Sequence, residues 1–287
     1  MLGVEKRVSC PICGAGNLDE PPHPYSSAPW VLKQCHACSM LYLENPPAYV
    51  ELEQEFAWER TFALETEERR QRNAFLYEIG RMPKRLIQAV SKRDKLFALA
   101  EAYFGAGPIL DVGCADGHVI GDWPEKFTPY GIELSTELSK IASARFSAKG
   151  GDVVQGDALS GLRRCPAKYF SGIVMTSFLE HEVNPKEVLV ETRRVMAHGA
   201  AIVIKVPNYS SWNRFVRGRR WCGFRFPDHV NYFTPGLLVQ LLLNAGFRTL
   251  RFGLLDHVPT SDTMWLVASA PGDLERWSAP ADVQSAP

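Results

Sequence analysis

The sequence predicts an α/β protein whose mostly parallel sheet carries helices on both faces, preceded by a small metal-binding ribbon and a helical connector. Two observations support this prediction. Apolar strands alternate with amphipathic helices from Pro108 to about Ala270, an alternation typical of a parallel sheet with crossover helices. Before that region, four cysteines stand in two Cys-x-x-Cys pairs in a stretch rich in proline and glycine, as in small domains held by a metal ion.

The overall composition is that of an ordinary soluble globular protein. Of the 287 residues, 46% are hydrophobic and 22% are charged, and 32 Lys and Arg balance 32 Asp and Glu. Zero net charge argues against electrostatic coating of nucleic acid or membranes, although it is compatible with a local basic patch. No apolar run reaches the roughly 18 residues of a membrane span, and the segment from Met1 to Arg7 is too polar for a secretory signal. We therefore expect a cytoplasmic protein without a membrane partner.

Changes in sequence texture divide the chain into four regions. Residues 1–47 form the predicted ribbon, and residues 48–104 form a charged connector with a helical pattern. Residues 105–270 form the α/β domain, within which residues 207–235 are expected to cover the site where substrate binds. The Pro-, Ala- and Ser-bearing tail, residues 271–287, is expected to be disordered.

The ribbon is predicted to bind one zinc ion through four thiolates. Cys10 and Cys13 form one pair and Cys35 and Cys38 the other, each with two residues between the cysteines. Two such turns supply the tetrahedral sulfur ligands that Zn²⁺ prefers, and Gly14 suits the tight turn after the first pair. A site closed by four thiolates has no open position for a substrate, so we expect this zinc to be structural.

A strand followed by a turn of small residues predicts a binding loop. The strand from Ile109 to Val112 runs into Gly113 and Gly117, and a helix is expected from about His118. Glycines at this place let the backbone approach a ligand at the carboxyl end of the strand. The Gly-Lys-Ser/Thr end of a phosphate-binding loop and the Gly-x-Gly-x-x-Gly spacing of a dinucleotide site are both absent from this segment.

Two further strands are predicted to end in acids. Glu133 ends the second strand, where a carboxylate can accept both hydroxyls of a ribose, and Asp157 follows the third, where it can meet an adenine amino group. Each acid could instead cap the helix that follows it. A fourth strand is expected over residues 171–176, and Gly199 separates a helix from a strand that begins near Ala201.

Taken together, these segments resemble the class I S-adenosylmethionine (SAM)-dependent methyltransferases over roughly residues 95–270. The matching segments are Leu110–Gly117, Gly131–Leu134, Gly156–Ala158, Phe178–His181, Val195 through Asn208, Pro227–His229, Phe233–Pro235 and Leu242–Phe247. The resemblance implies a Rossmann-like, seven-stranded sheet. Two positions depart from the family pattern, since Ala115 replaces the commonest middle glycine and Ser171 a frequent aspartate.

The resemblance also implies roles for individual residues. Asp111 would hold the loop near the methionine part of SAM, and Glu133 would bind the ribose. Leu134 would pack on the adenine, and Asp157 would contact its amino group. The other residues implied at the cofactor are Gly113, Ala115, Gly117 and Ala158.

Two histidines are predicted to serve as a catalytic base. Methyl transfer from a sulfonium needs in-line alignment above all, and a base is needed only if the acceptor atom must lose a proton. His229, in the segment from Pro227 to Phe233, ranks first, and His181, just after the fourth strand, ranks second. For each, a hydrogen-bonded structural histidine is the competing interpretation.

An arginine-rich segment is predicted to cover the acceptor. Residues 212–226 contain five arginines, several aromatic residues and no acid. Such a segment can bind phosphate or carboxylate, contact RNA through stacked bases, or form a solvated loop whose aromatic residues pack on the core. The predicted substrate-binding residues are Arg219, Arg220, Trp221 and Tyr232.

The preferred functional interpretation is a SAM-dependent methyltransferase that acts on a small-molecule acceptor. An N-terminal zinc ribbon with this distal histidine region resembles methyltransferases of sugar, polysaccharide or secondary-metabolite pathways, and the arginines favour an anionic acceptor such as a nucleotide-linked sugar. The alternatives are an RNA methyltransferase, disfavoured by the zero net charge, and a non-catalytic SAM-fold binding or scaffold protein, disfavoured by the intact motif positions. The sequence leaves open the acceptor atom, the oligomeric state and the roles of Cys165 and Cys222.

Overall fold

The computed structural model describes residues 6–47 and 95–270. Most of the predicted connector, residues 48–94, and the whole predicted tail, residues 271–287, lie outside the described residues.

Ten strands and seven α-helices make up the described residues. In chain order they are β1 (Leu32–Gln34), β2 (Leu41–Leu43), α1 (Lys95–Tyr103), β3 (Gly107–Val112), α2 (His118–Gly121), β4 (Phe127–Glu133), α3 (Thr136–Ser147), β5 (Asp152–Gln155), α4 (Ala158–Arg164), β6 (Phe170–Thr176), α5 (Pro185–Val195), β7 (Met196–Pro207), α6 (Trp212–Arg217), β8 (Asn231–Tyr232), α7 (Pro235–Asn244), β9 (Arg248–Arg251) and β10 (Thr263–Ser269). Short 3-10 helices cover Gly218–Arg220 and Leu254–Asp256. None of the described helices combines the length and apolar character that a membrane crossing needs.

The main sheet has seven strands in the order β5-β4-β3-β6-β7-β10-β9. The first five strands in this order, β5 to β7, are all parallel to one another. Strand β10 is antiparallel to both of its neighbours, β7 and β9. This arrangement confirms the predicted seven-stranded, mostly parallel α/β fold.

Helices cover both faces of this sheet. The side chains of the strands point alternately to the two faces, and each face packs against helices in a separate hydrophobic core. In β3, Leu110 and Val112 join one buried cluster, and Ile109 joins the other. Helices α4, α5 and α7 bury their apolar side chains in the first cluster, and α1, α2 and α3 bury theirs in the second. A strand buried on both faces is typical of a sheet with crossover helices.

The ribbon strands belong to a second, three-stranded sheet in the order β1-β2-β8. Leu41 pairs with Tyr232, and Tyr42 pairs with Asn231, so a strand from the distal part of the chain completes the ribbon's sheet. Arg7 strengthens this junction, because its guanidinium donates to the Val183 carbonyl at 2.5 Å and to Asn231 Oδ1 at 3.1 Å. The ribbon is therefore joined by hydrogen bonds to the loop after β6 and to the segment before α7.

Candidate cofactor and acceptor site

The site begins where β3 ends at the carboxyl edge of the parallel sheet. Asp111, the second-last residue of β3, is only 2% exposed. Burial raises the pKa of its carboxyl well above the ordinary value, and the nearby Glu133 carboxylate raises this pKa further. Burial favours the neutral form of this carboxyl, and a nearby positive charge stabilises its ionised form. The sulfonium and ammonium groups of SAM would supply such a charge.

Three residues of the loop after β3 adopt left-handed backbone conformations. The φ angles are +76° at Gly113, +48° at Ala115 and +75° at Gly117. A Cβ atom added at Gly113 would lie 2.9 Å from a ring carbon of Phe178, and one added at Gly117 would lie 2.8 Å from a ring carbon of Phe146. Glycine is therefore favoured at both positions by conformation and by space, whereas Ala115 adopts a left-handed conformation that is strained for a residue with a Cβ atom.

Glu133, the last residue of β4, joins the loop after β3 to the end of β4 through hydrogen bonds. Its Oε2 accepts a hydrogen bond from the backbone N–H of Ala115 at 2.8 Å, and its Oε1 accepts one from the N–H of Ser135 at 2.9 Å. Bonds from backbone amides to a carboxylate are among the stronger ones in proteins. A ribose at Glu133 would have to use the remaining lone pairs of the same two oxygens, so the predicted ribose role stays a prediction.

Asp157 caps helix α4, as the competing interpretation of this residue held. Its side chain accepts a hydrogen bond from the backbone N–H of Ser160 at 2.9 Å. One carboxylate oxygen is thus used in the cap, and the other remains to meet an adenine amino group, so the cap does not exclude the predicted role. Nearby, Leu134 directly follows β4 and is half-buried, and Ala158 begins helix α4 and is buried.

Phe178 lies between the loop after β3 (residues 113–117, the predicted cofactor loop) and the predicted catalytic residues. Its ring approaches Gly113, and the residue lies in the loop after β6, two positions before Glu180 and three before His181. The resemblance named Phe178 among the matching residues without giving it a role. Its place between the loop and the histidines could not be read from its position in the sequence.

Glu180, His181 and His229 form a compact cluster at this edge of the sheet. One potential ligand atom from each residue lies within 4.8 Å of those of the other two. The two imidazole rings meet nearly at right angles, with centroids 4.8 Å apart. Both predicted histidines are therefore brought together, and they are joined by Glu180, which sequence reasoning missed although it directly precedes His181.

Burial dominates the electrostatics of this cluster. Glu180 is 1% exposed, and burial raises its pKa to about 8, although the positive charges of Lys205 and Arg225 oppose that rise. Burial lowers the pKa of His181 to about 4, and the charge of Arg225 lowers it further. At neutral pH both effects favour an uncharged His181 imidazole.

The tautomers of both histidines follow from their hydrogen bonds. His181 Nδ1 lies 2.8 Å from the Asp228 carbonyl oxygen, and His229 Nδ1 lies 2.8 Å from the Gly223 carbonyl oxygen. Since a carbonyl oxygen can only accept, each Nδ1 carries a hydrogen and donates it. In the neutral rings the lone pair therefore resides on Nε2, which can accept a proton or bind a cation.

The arginine-rich segment separates its predicted substrate residues into two groups. Arg219 and Arg220 are exposed, and the Arg219 guanidinium donates to the Pro24 carbonyl of the ribbon region. Trp221 and Tyr232 are each 2% exposed and share a buried aromatic cluster. The structure thus does not bring these four side chains into one exposed site, and their substrate-binding roles stay predictions.

Asp262 holds this segment against the sheet. Its Oδ1 accepts hydrogen bonds from the indole N–H of Trp221 at 2.7 Å and from the Ser211 hydroxyl at 2.8 Å, and its Oδ2 accepts one from Asn213 at 3.0 Å. Burial alone would raise the pKa of Asp262, but these bonds, the one from Trp221 foremost, outweigh it and lower the pKa. Asp262 is a positioning residue for the segment that sequence reasoning did not identify.

The four ribbon cysteines converge as the zinc prediction requires. Their sulfur atoms all lie within 4.8 Å of one another, and the Sγ atoms of Cys10 and Cys38, and of Cys13 and Cys35, are 3.5 Å apart. Tetrahedral coordination at the usual Zn–S length of about 2.3 Å places sulfurs ~3.8 Å apart. The spacing of the thiols therefore suits one Zn²⁺, which would cross-link the two turns of the ribbon.

Comparison with known proteins identifies the family. A family model of the methyltransferase domain matches residues 71–251, more than half of the chain. The solved structure of a SAM-dependent methyltransferase from Clostridium acetobutylicum is similar, with a TM-score of 0.51 at 11% identity, over 69% of this chain and 99% of that one. A SAM-dependent methyltransferase from Archaeoglobus fulgidus gives a TM-score of 0.49 at 21% identity, over 68% of this chain and 98% of that one.

One curated relative is an uncharacterized protein of Methanocaldococcus jannaschii, 23% identical over 146 residues. The match covers 50% of this chain and 65% of the relative, which is less than two thirds of the relative's length. The family match and the sheet order confirm the methyltransferase family and the α/β fold that the sequence predicts. The chain belongs to the methyltransferase domain family.

Proposed function

We propose that this protein is a cytoplasmic enzyme that transfers a methyl group from SAM to a small, anionic acceptor such as a sugar, a nucleotide-linked sugar or a secondary-metabolite intermediate. The cofactor part of the proposal is supported by the loop after β3, whose glycines are left-handed and which directly follows the buried Asp111. The cytoplasmic part is supported by the paired cysteines of the ribbon, which in a reducing compartment are more often metal ligands than disulfides.

The observation that carries the proposal is the position of the histidine cluster beside the cofactor loop. Phe178 packs against Gly113, and the same short loop continues into Glu180 and His181. An acceptor placed between them would have the methyl donor on one side and imidazole nitrogens on the other. That arrangement suits an in-line displacement, in which alignment supplies most of the rate acceleration.

The proposed methyl transfer needs no reactant besides SAM and the acceptor. Bound SAM would supply the methyl group: the acceptor atom would form the new bond to the methyl carbon, and S-adenosylhomocysteine would leave with the electron pair of the broken carbon–sulfur bond. If the acceptor atom carries a proton, Nε2 of His229 or His181 accepts it. The neutral tautomers of both rings, with Nδ1 donating to a carbonyl, leave Nε2 suited to that role.

The preference for an anionic acceptor rests on the exposed arginines. Arg217 ends helix α6, and Arg219 and Arg220 lie in the 3-10 helix that follows it; all three are exposed, and they directly precede Trp221 of the buried aromatic cluster. Guanidinium groups bind phosphate and carboxylate through paired hydrogen bonds. A phosphate-bearing or carboxylate-bearing acceptor is therefore the class of substrate that these arginines favour. We further propose a structural Zn²⁺ in the ribbon, on the spacing of the four thiols.

A methyl-acceptance screen tests the function directly. The full-length protein is incubated with SAM labelled in the methyl group and with separate pools of nucleotide-linked sugars, small organic acids and RNA. We expect label in the anionic small-molecule pools, with a strong loss in His229→Gln and little change in the control His118→Gln, whose histidine is exposed and paired with Asp116. Label in RNA alone would replace the proposed acceptor, and absence of SAM binding by calorimetry would refute the enzyme.

A further inference from the structure

Three side chains of types that can bind a cation lie close together after the carboxyl end of β6. Glu180, His181 and His229 come from two separate segments, the loop after β6 and the segment before β8. Those segments are held together by backbone hydrogen bonds, since the Glu180 carbonyl accepts from the N–H of Val230 at 2.8 Å and of Asn231 at 3.1 Å. The backbone therefore holds the two segments that carry these side chains next to each other.

The atoms that these residues offer suit a cation. Glu180 Oε2 is buried and has no hydrogen-bond partner within the described residues. The two imidazoles donate their Nδ1 hydrogens to the carbonyls of Asp228 and Gly223, which directs both lone pairs to Nε2. Histidines that bind metal ions in proteins are oriented in the same way, with the second ring nitrogen donating to a carbonyl or carboxylate.

We propose that Glu180, His181 and His229 bind a divalent transition-metal ion of the Zn²⁺ or Co²⁺ type. Two imidazole nitrogens and one carboxylate make a three-ligand set that leaves coordination positions open for water or substrate. Two ligand atoms that each lie about 2.1 Å from one ion are at most ~4.2 Å apart. The potential ligand atoms lie within 4.8 Å of one another, so small rotamer shifts bring them to a shared ion.

This ion differs in kind from the zinc of the ribbon. The ribbon offers four sulfurs and no open position, whereas the second site offers nitrogen and oxygen ligands beside the cofactor loop. The role of the second ion rests on the proposed function: an acceptor hydroxyl at its open position would lose its proton to water more easily. With the ion bound, both Nε2 atoms are ligands, and the ion replaces a histidine as the group that promotes deprotonation.

Metal counting on the full-length protein tests the second site without SAM or acceptor. The purified protein is dialysed against Co²⁺, and bound metal is counted by mass spectrometry. We expect two ions per chain in the wild type and one in Glu180→Gln and in His181→Gln, with Co²⁺ affinity at the second site weakened beyond the roughly 10- to 100-fold that loss of an outer-shell partner causes. The control His118→Gln should keep two ions, and Cys13→Ser should lose only the ribbon ion.

Absorption spectra of the wild type give a second readout that needs no variant. Co²⁺ in the ribbon should show intense thiolate charge-transfer bands, and Co²⁺ in the second site should add ligand-field bands without a thiolate contribution. A single ion per chain with only the thiolate spectrum would overturn the proposal and would indicate a proton shared within the cluster. A second ion retained in both folded variants would also overturn it. SAM affinity, measured by calorimetry on the same samples, tests the proposed function separately.

Discussion

The substitution Glu133→Gln tests how one side chain serves both the cofactor loop and the cofactor. In the structure both carboxylate oxygens accept backbone N–H groups, from Ala115 and from Ser135. Glutamine keeps the length of the side chain but presents one amide group, so one of these N–H groups faces a donor and loses its partner. A hydrogen bond to a charged group contributes about 1.5–3 kcal/mol. We therefore expect the free energy of unfolding, measured by urea denaturation, to fall by roughly that amount.

The same substitution should also weaken SAM binding. A ribose held by the carboxylate loses at least one charge-assisted hydrogen bond, which corresponds to about 1–3 kcal/mol or a roughly 5- to 150-fold higher Kd in calorimetry. Asp122→Asn is the matched control, because Asp122 is exposed and pairs only loosely with Arg145 at 3.4 Å. It should change stability by no more than about 0.5 kcal/mol. Unchanged SAM affinity in Glu133→Gln, together with the expected loss of stability, would refute the ribose role and leave Glu133 as a fastener of the loop.

Three further predictions follow from individual contacts. Gly117→Ala should lower the free energy of unfolding by about 2–4 kcal/mol in thermal or urea denaturation, because its methyl group meets Phe146 and its backbone is left-handed; a neutral effect would contradict the packing described. Asp262→Ala should cost about 1–3 kcal/mol, since the indole of Trp221 loses its acceptor. The pKa of Asp262 is lowered in the folded protein. The ionised carboxylate therefore contributes to the free energy of unfolding above the ordinary Asp pKa, and this contribution is lost as the pH falls through the lowered pKa. Wild type and variant should consequently converge in stability at acidic pH. Removal of zinc with a chelator should unfold the ribbon in circular dichroism and raise the KM for the acceptor more than the Kd for SAM, since β2 pairs with β8 and not with the cofactor loop; ribbon structure that survives complete chelation would contradict the metal assignment.

Local sequence pattern predicted the strand and loop order of the α/β domain well. The loop after β3, the acid at the end of β4 and the start of helix α2 lie where the residue pattern and glycine spacing predict them. The predicted start of β7, near Ala201, is too late, because the sequence pattern indicates a break between helix and strand at Gly199. In the structure β7 begins at Met196 and continues through Gly199, which has a φ of +69° where the pairing with β6 is irregular.

Helix caps show where a pattern supports two functions at once. Asp157 was predicted to contact adenine, and the structure adds a hydrogen bond that caps α4. An acid at the end of a parallel strand lies both at the start of the next helix and at the edge where ligands bind. Sequence position alone cannot separate the two roles, because the same geometry produces both.

The sequence by itself determined the features that depend on near neighbours along the chain. These are the paired cysteines of the ribbon, the glycine turn after β3 and the alternation of strands and helices, since thiol spacing, backbone freedom and hydrophobic periodicity act over a few residues. Only the tertiary structure decided that β8 completes the ribbon's sheet, that Trp221 is buried on Asp262, and that Glu180 joins two histidines. Those contacts join residues far apart in the chain, and which of them meet is decided by the packing of the whole core.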